Sequence, residues 1–457
     1  MARPKPLSGF PEFLPAGRIV EQRVLDILRE TFELHGFAPV ETRSVETMET
    51  LTRKGEITKE VYVVRRLHAE EGEPGRSDDL GLHFDLTVPF ARYVLENAGH
   101  LAFPFRRYQI QKVWRGERPQ EGRYREFLQA DIDIVGQDNL PEHFDVEAPL
   151  VMLAALERMH VELGLPLALM HVNNRKLAEG FYRGLGIGEP GGAFEQVSTL
   201  DVLQRVDKFD KIGADAVAEL LVSELGLSAE VASRCVALAG ICTPDTSFEQ
   251  QVRALGVEHE MLDEGLAALR AVVEAANRRV PGRMVADLKI ARGLDYYTGT
   301  VYETELVGHE KLGSISSGGR YDSLASDGKN SFPGVGISMG VTRLLGPMIT
   351  KGRITASRSV PSAVLVALDD ESTRGVAEEV AAALRSRRIP CEVAPKADKF
   401  GKQIKHADRR GIPFVWFGGL HGQVKDIRSG EQTDADVEFW NPPTEDLRPE
   451  VVGSSAD

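Results

Sequence analysis

The run 127–135 constrains this chain most. Leu128, Ala130, Ile132 and Ile134 alternate there with Gln129, Asp131 and Asp133. Successive side chains of a strand point to opposite faces, so the run predicts a strand with one apolar face and one face carrying an amide and two carboxylates. Such a face either meets solvent or floors a polar pocket. Residues 105–113 read as its antiparallel partner, joined through a polar loop, 115–125. Upstream, Ile19, Val20, Val24, Ile27, Leu28 and Phe32 recur at helical spacing over 18–35 and Gly36 stops the helix. Extended chain follows at 37–40, where Pro39, lacking an N–H, belongs at the start or edge of a strand.

Its 457 residues suggest about three domains. A helix is predicted after Pro89, and another over 147–163, closed by Gly164 and Pro166. Beyond Asn173, helical segments separated by Gly-rich turns predict an all-helical insertion, 174–280. Strands return at 285–290 and 300–306. A Gly/Ser run, 314–319, leads to Arg320, and a strand at 333–339 feeds a helix through Gly340. A polar linker, 351–361, precedes a domain over 362–445, where strands at 363–368, 391–394 and 414–417 alternate with helices at 372–385 and 399–410. That order predicts a mostly parallel sheet. A tail, 446–457, frays from Ser454. The expected fold class is α/β multidomain (α+β): a first domain in two parts, 1–173 and 281–350, the helical insertion between them, and a C-terminal α/β module.

The net charge of −14 argues against a whole-molecule grip on nucleic acid, because phosphate binding depends on Lys and Arg. The charge is uneven, however. Residues 385–428 hold eleven Lys/Arg against four Asp/Glu, and Lys399, Lys402, Lys405 and Arg409 form one cationic stripe at helical spacing. A solvated helix face would read the same way, and Phe414 and Trp416, in a strand, read as core. Cys235, Cys242 and Cys391 cannot frame a disulfide network or begin a zinc site, and are expected as buried small hydrophobes. No apolar h-region follows the N-terminus and no run is long enough to span a bilayer, so the expected compartment is the cytoplasm, with no membrane partner.

P-loop, dinucleotide-binding, H-E-x-x-H and G-x-S-x-G patterns are absent. Three arginines in particular settings remain. Arg115, in Trp114-Arg115-Gly116-Glu117, ends one strand beside a partner carrying Gln129 and Asp133; it suits a phosphate, or equally a salt-bridged hairpin loop with Glu117 and Glu126. Arg292 stands in Arg292-Gly293-Leu294-Asp295-Tyr296-Tyr297, which also reads as a bulge with packed tyrosines. Arg343 lies in the first turn of a helix after Gly340. A cation there opposes the helix dipole and needs an anionic partner, for which a nucleotide phosphate or a carboxylate would serve.

In this order the segments resemble the class II aminoacyl-tRNA synthetases. The helix 18–35 with Pro39 is similar to motif 1, the dimer-forming element; Trp114-Arg115-Gly116-Glu117 through Gly136 to motif 2; and 334–345 to motif 3. Within that class the chain resembles the histidyl-tRNA synthetases. Arg292-Gly293-Leu294-Asp295-Tyr296-Tyr297 and Ser317-Gly318-Gly319-Arg320-Tyr321-Asp322 match that family's two histidine motifs, 82–92 its amino-acid-binding segment, and Glu121-Gly122-Arg123-Tyr124-Arg125-Glu126-Phe127 its motif 2 loop. Two departures are His83-Phe84, where an Arg followed by Tyr or Pro is usual, and Asp133, where Glu is common.

The resemblance implies a catalytic domain built on an antiparallel sheet flanked by helices, and an anticodon-binding C-terminal domain. It also implies formation of histidyl-adenylate and pyrophosphate from L-histidine and ATP, then transfer to the 3′ end of tRNA(His). By resemblance Arg115 holds the α-phosphate and Arg343 the γ-phosphate, while Glu117 and Arg123 position the nucleotide. Arg292 lies between the substrate carboxylate and the α-phosphate. Asp85 and Thr87 take the α-amino group, Gln129 sits by the carboxylate, Asp133 and Tyr297 read the imidazole, and Tyr296 and Tyr321 complete the pocket. Lys399, Lys402, Lys405 and Arg409 would touch tRNA. Mg2+ on the ATP phosphates, no zinc, and a homodimer are also implied. The alternative is a non-aminoacylating regulatory paralogue of histidine biosynthesis.

Overall fold

The computed structural model describes residues 4–52, 60–66, 79–290, 297–326 and 328–453. The chain divides into two units, residues 1–11 with 26–347 and residues 12–25 with 348–457.

Among the described residues the large sheet of the first unit has nine strands: β1 (Ala38–Pro39), β2 (Phe105–Trp114), β3 (Glu126–Val135), β4 (Ala168–Asn174), β5 (Cys242–Thr243), β6 (Met284–Asp287), β7 (Tyr297–Leu306), β8 (Ser316–Ser326) and β9 (Ser331–Gly340). Their spatial order is β1-β2-β3-β9-β8-β7-β4-β6-β5. From β2 across to β4 every neighbour is antiparallel. β1 joins β2, and β6 joins β4, in parallel. The expected hairpin forms with Phe105 opposite Val135 and Trp114 opposite Glu126. Pro39 lies at the sheet edge, where its missing N–H breaks no ladder.

Helix α1 (Pro15–Leu34) buries Val20, Val24, Ile27, Leu28 and Phe32 completely, the stripe its spacing predicts. Helix α2 (Thr87–Asn97) begins two residues before Pro89, which falls in the first turn, where no intrahelical donor is required. Helix α3 (His143–Leu163) covers the sheet face that carries Ile134 and Val335, and Gly164 closes it in the left-handed conformation. Pro149 lies inside α3 and leaves the Asp145 carbonyl without its helical donor; the Tyr302 hydroxyl of β7 donates to that carbonyl instead. The Asp145 carboxylate meanwhile accepts from Arg320 and Thr300, both at 2.9 Å.

Three expectations are corrected. The insertion is not wholly helical: Cys242 and Thr243 pair with β6 and form the edge of the large sheet, and Cys242 is exposed rather than buried. The Gly/Ser run 314–319 enters β8 instead of merely leading to it. Strand β4, just before the insertion, adds to the expected elements and follows closely on Gly164 and Pro166.

In the second unit, β10 (Ile354–Ala356), β11 (Val364–Val366), β12 (Cys391–Val393), β13 (Phe414–Phe417), β14 (His421–Asp426), β15 (Gln432–Asp436) and β16 (Val451–Gly453) make two sheets. The larger runs β12-β11-β13-β14-β15; the first three strands are parallel, as expected, and β14 and β15 extend them antiparallel. Trp416 is fully buried against Trp440, and Phe414 is buried with it, so both are core. β10 pairs with β16, which ties part of the expected linker to part of the expected tail.

Candidate active site

The registers of six strands place one row of polar residues across the sheet: Gln109 on β2, Asp131 on β3, Ser338 on β9, Ser317 on β8, Glu303 on β7 and His171 on β4. The next row reads Arg107, Asp133, Gly336 and Gly319. This is the polar face expected of 127–135. It floors a pocket: Gln129, Asp131 and Asp133 are all buried.

Glycine makes the second row a trough. A Cβ on Gly336 would lie 2.1 Å from Asp133 Oδ1, and one on Gly319 would lie 2.9 Å from Tyr297 Cδ1, so the carboxylate and the ring each lie over a missing side chain. Tyr321 crosses Gly334 and donates its hydroxyl to Asp133 Oδ1 at 2.8 Å. Burial and the neighbouring Asp133 push the Tyr321 phenol well above its ordinary value of 10, so it stays a donor. Burial, opposed by Arg107 and assisted by Asp133, pushes the Asp131 carboxyl up to about 7.

Beside the trough a cavity of about 110 Å³ brings together Arg115, Glu117, Arg123, Gln129 and Arg343. A larger one, of about 1040 Å³, shares Arg123 and Arg343 with it and is lined also by Tyr297, Glu303, Glu305 and Lys311. Local structure positions each arginine. Arg115 leaves β2, donates Nε to the Phe84 carbonyl at 3.0 Å, and stacks over Phe127 at 5.1 Å. Arg343, one turn into helix α4 (Val341–Thr350), donates to the Leu312 carbonyl at 2.7 Å. Burial first, then repulsion from Arg123, hold the Arg343 guanidinium below its ordinary value, with Glu117 opposing and Arg115 adding to the effect. Three cations gathered on one small cavity repel one another, and a polyanionic ligand would relieve that.

Asp85 is buried, and its Oδ1 accepts the Val88 N–H at 3.0 Å, holding the start of α2 with Thr87 beside it. His83 is fully buried, stacks on Trp114 at 5.5 Å, and hydrogen-bonds the Lys112 carbonyl through Nε2 at 2.7 Å. Arg292 and Tyr296 lie outside the described residues. Arg107, Glu303 and His171 were not read from sequence as site residues, and Asp131 was read only as part of the polar face of 127–135. The signal was available for one of them: Arg107, Gln109 and Gln111 alternate on β2 as Asp133, Asp131 and Gln129 do on β3, and the hairpin register sets them face to face.

Among the described residues, His171, Cys242 and Asp287 bring donor atoms within 4.8 Å of one another. A cation is already present there, since Lys289 Nζ lies 3.5 Å from Asp287 and 3.0 Å from Asp210. In the second unit, helix α5 (Phe400–Arg410) buries Gln403 and Ala407 and exposes Lys402, Lys405 and Arg409, with Lys399 exposed just before it.

A largely antiparallel sheet with arginines gathered beside its polar face fits the aminoacyl-tRNA synthetases, and residues 362–438 match the anticodon binding domain family. Residues 9–344 match the histidyl-tRNA synthetase family. A histidine–tRNA ligase of Cutibacterium acnes is 70% identical, covering 99% of this chain and 100% of its own. One of Micrococcus luteus is 60% identical, covering 99% of each. The crystal structure of a Nostoc histidyl-tRNA synthetase superposes with a TM-score of 0.82 at 31% identity, over 96% of this chain and 98% of that one. The chain belongs to the histidyl-tRNA synthetase family.

Proposed function

We propose that the chain is a histidine–tRNA ligase: it joins the carboxylate of L-histidine to the α-phosphate of ATP, releases pyrophosphate, and passes the histidyl group to the 3′ end of tRNA(His). The observation that carries this reading is the meeting of Arg115, Arg123 and Arg343 on one cavity beside the Asp133–Tyr297–Tyr321 trough. Two anions must approach for the first step, and fixed positive charge lowers that barrier without reorganising. Arg115 takes the α-phosphate and Arg343 the γ-phosphate, with Glu117 and Arg123 positioning the nucleotide. Arg292 is assigned to the reacting oxygens. Asp85 and Thr87 hold the α-amino group, Gln129 sits by the carboxylate, and Tyr296 closes the pocket. An imidazole has one donor and one acceptor nitrogen; Asp133 and Tyr297 can match both, which leaves polar groups unpaired against a wrong side chain.

Mg2+ enters with ATP, and the carboxylates of Glu303 and Glu305 on the cavity wall are ligands of the kind it takes. No zinc is proposed; at the His171–Cys242–Asp287 cluster Lys289 Nζ stands 3.5 Å from Asp287. The exposed stripe of Lys399, Lys402, Lys405 and Arg409 meets tRNA phosphates. A cytoplasmic homodimer is proposed, and no helix among the described residues is long and apolar enough to cross a membrane. The proposed organisation is catalytic domain 1–173 and 281–350, insertion 174–280, linker 351–361, anticodon-binding domain 362–445 and tail 446–457.

Fold alone does not separate the enzyme from a regulatory relative. A Bacillus halodurans structure titled ATP phosphoribosyltransferase regulatory subunit/histidyl-tRNA synthetase has a TM-score of 0.70 at 20% identity. The site residues favour the enzyme. Histidine-dependent ATP–pyrophosphate exchange by the purified chain is the expected result; its absence would sink this reading and favour the regulatory one.

A further inference from the structure

Arg107 stands directly opposite Asp133 in the β2–β3 hairpin and is wholly buried. Its Nη2 lies 2.6 Å from Asp133 Oδ2 but 3.9 Å from the nearest oxygen of Asp131. The Phe90 ring of α2 covers the guanidinium at 4.2 Å. Among the described residues, no Arg107 nitrogen makes a hydrogen bond of good geometry, so the contact with Asp133 is one of charge and proximity. A buried guanidinium with unmade hydrogen bonds is costly, and an apolar side chain in its place often serves stability as well or better. Stability alone therefore does not account for an arginine at this position.

Its place in the sheet does. Asp133 is held on both oxygens, by Tyr321 on Oδ1 and by Arg107 on Oδ2, and it lies over the Gly336 gap at the trough floor. Without a cation beside it, a carboxyl this buried tends to take up a proton and become a donor itself. Asp131, in the same face but farther from Arg107, shows the tendency, with its carboxyl pushed up to about 7.

We propose that Arg107 is a positioning and specificity-determining residue: it holds Asp133 ionised and fixed, so that the floor of the trough is an acceptor and the ring bound there must present an N–H. This rests on the reading of the trough as a histidine pocket. Arg107 acts through Asp133 and touches no reacting atom.

The test is pyrophosphate exchange by the full-length chain, with KM measured for histidine and for ATP. Histidine-dependent exchange by the unmodified protein checks the underlying reading by itself. Arg107→Met is expected to raise the histidine KM about tenfold or more while the ATP KM stays within about twofold, and Arg107→Lys to limit the rise to about threefold. In an Asp133→Asn background, Arg107→Met is expected to add no further rise. An unchanged histidine KM in Arg107→Met, or equal rises for histidine and ATP, would overturn the proposal while leaving the ligase reading intact. Thermal unfolding of each variant reports folding, and should Arg107→Met not fold, Arg107→Gln, equally uncharged, decides by the same split.

Discussion

His83 illustrates how one side chain can carry pH dependence into a fold. It is fully buried, and burial, against the pull of the Lys112 carbonyl and Asp85, lowers its pKa from 6.5. Its Nε2 faces the Lys112 carbonyl and therefore carries the proton in the neutral ring, while Nδ1 has no hydrogen-bond partner among the described residues. Between the folded pKa and 6.5 the unfolded chain binds the extra proton, so His83 costs stability increasingly as pH falls through that window and costs nothing above it. His83→Gln, whose amide can still reach Lys112, is expected to flatten the fall in Tm between about pH 7 and 5. An unchanged pH profile would show that another group carries the dependence. Arg107 makes a different residue-scale point: an arginine in a strand reads as exposed by default, and only the hairpin register reveals that it pairs inward with Asp133.

Among elements, the β2–β3 hairpin was largely legible. Its alternation predicted both strands to within a residue at each end, because a period of two admits no other local structure. Helix α3 was legible only in part: it was expected over 147–163, and it begins at His143 with Pro149 inside it. The reason is tertiary, since Tyr302, distant in sequence, satisfies the carbonyl that proline leaves open. This exchange can be tested by thermal unfolding. Tyr302→Phe is expected to cost about 1–3 kcal/mol by leaving a buried carbonyl unpaired. Pro149→Ala is expected to cost about 1 kcal/mol or less, from unfolded-chain entropy alone. In the double variant the restored N–H at 149 reaches the same carbonyl, so the combined cost should be less than the sum of the two. Strict additivity would show that Tyr302 does not replace the helical bond. Strand β5 and the pairing of β10 with β16 had no comparable local signal, because two- or three-residue ladders are fixed by their partners rather than by their own composition.

For the whole molecule, charge is divided by region. The acidic chain carries its excess of Lys and Arg within 385–428, and the second unit displays Lys399, Lys402, Lys405 and Arg409 on one exposed face. Replacing all four with Gln is expected to leave pyrophosphate exchange unchanged, to weaken tRNA charging, and to lower the slope of log affinity against log salt by about 3. An unaltered salt slope would place the tRNA contact elsewhere. The sequence by itself determined the hairpin, the α1 stripe, the C-terminal βα alternation and the residues that relate the chain to its family, because periodicity and motif spacing are local properties. Tertiary structure decided that the polar face of β3 is a pocket floor, that Arg107 pairs with Asp133, and that Arg343 meets Arg115 and Arg123 of the loop 115–125 on one cavity. Those outcomes depend on strand register and on which residues lack a Cβ opposite, and both are set by strands that meet only in the folded sheet.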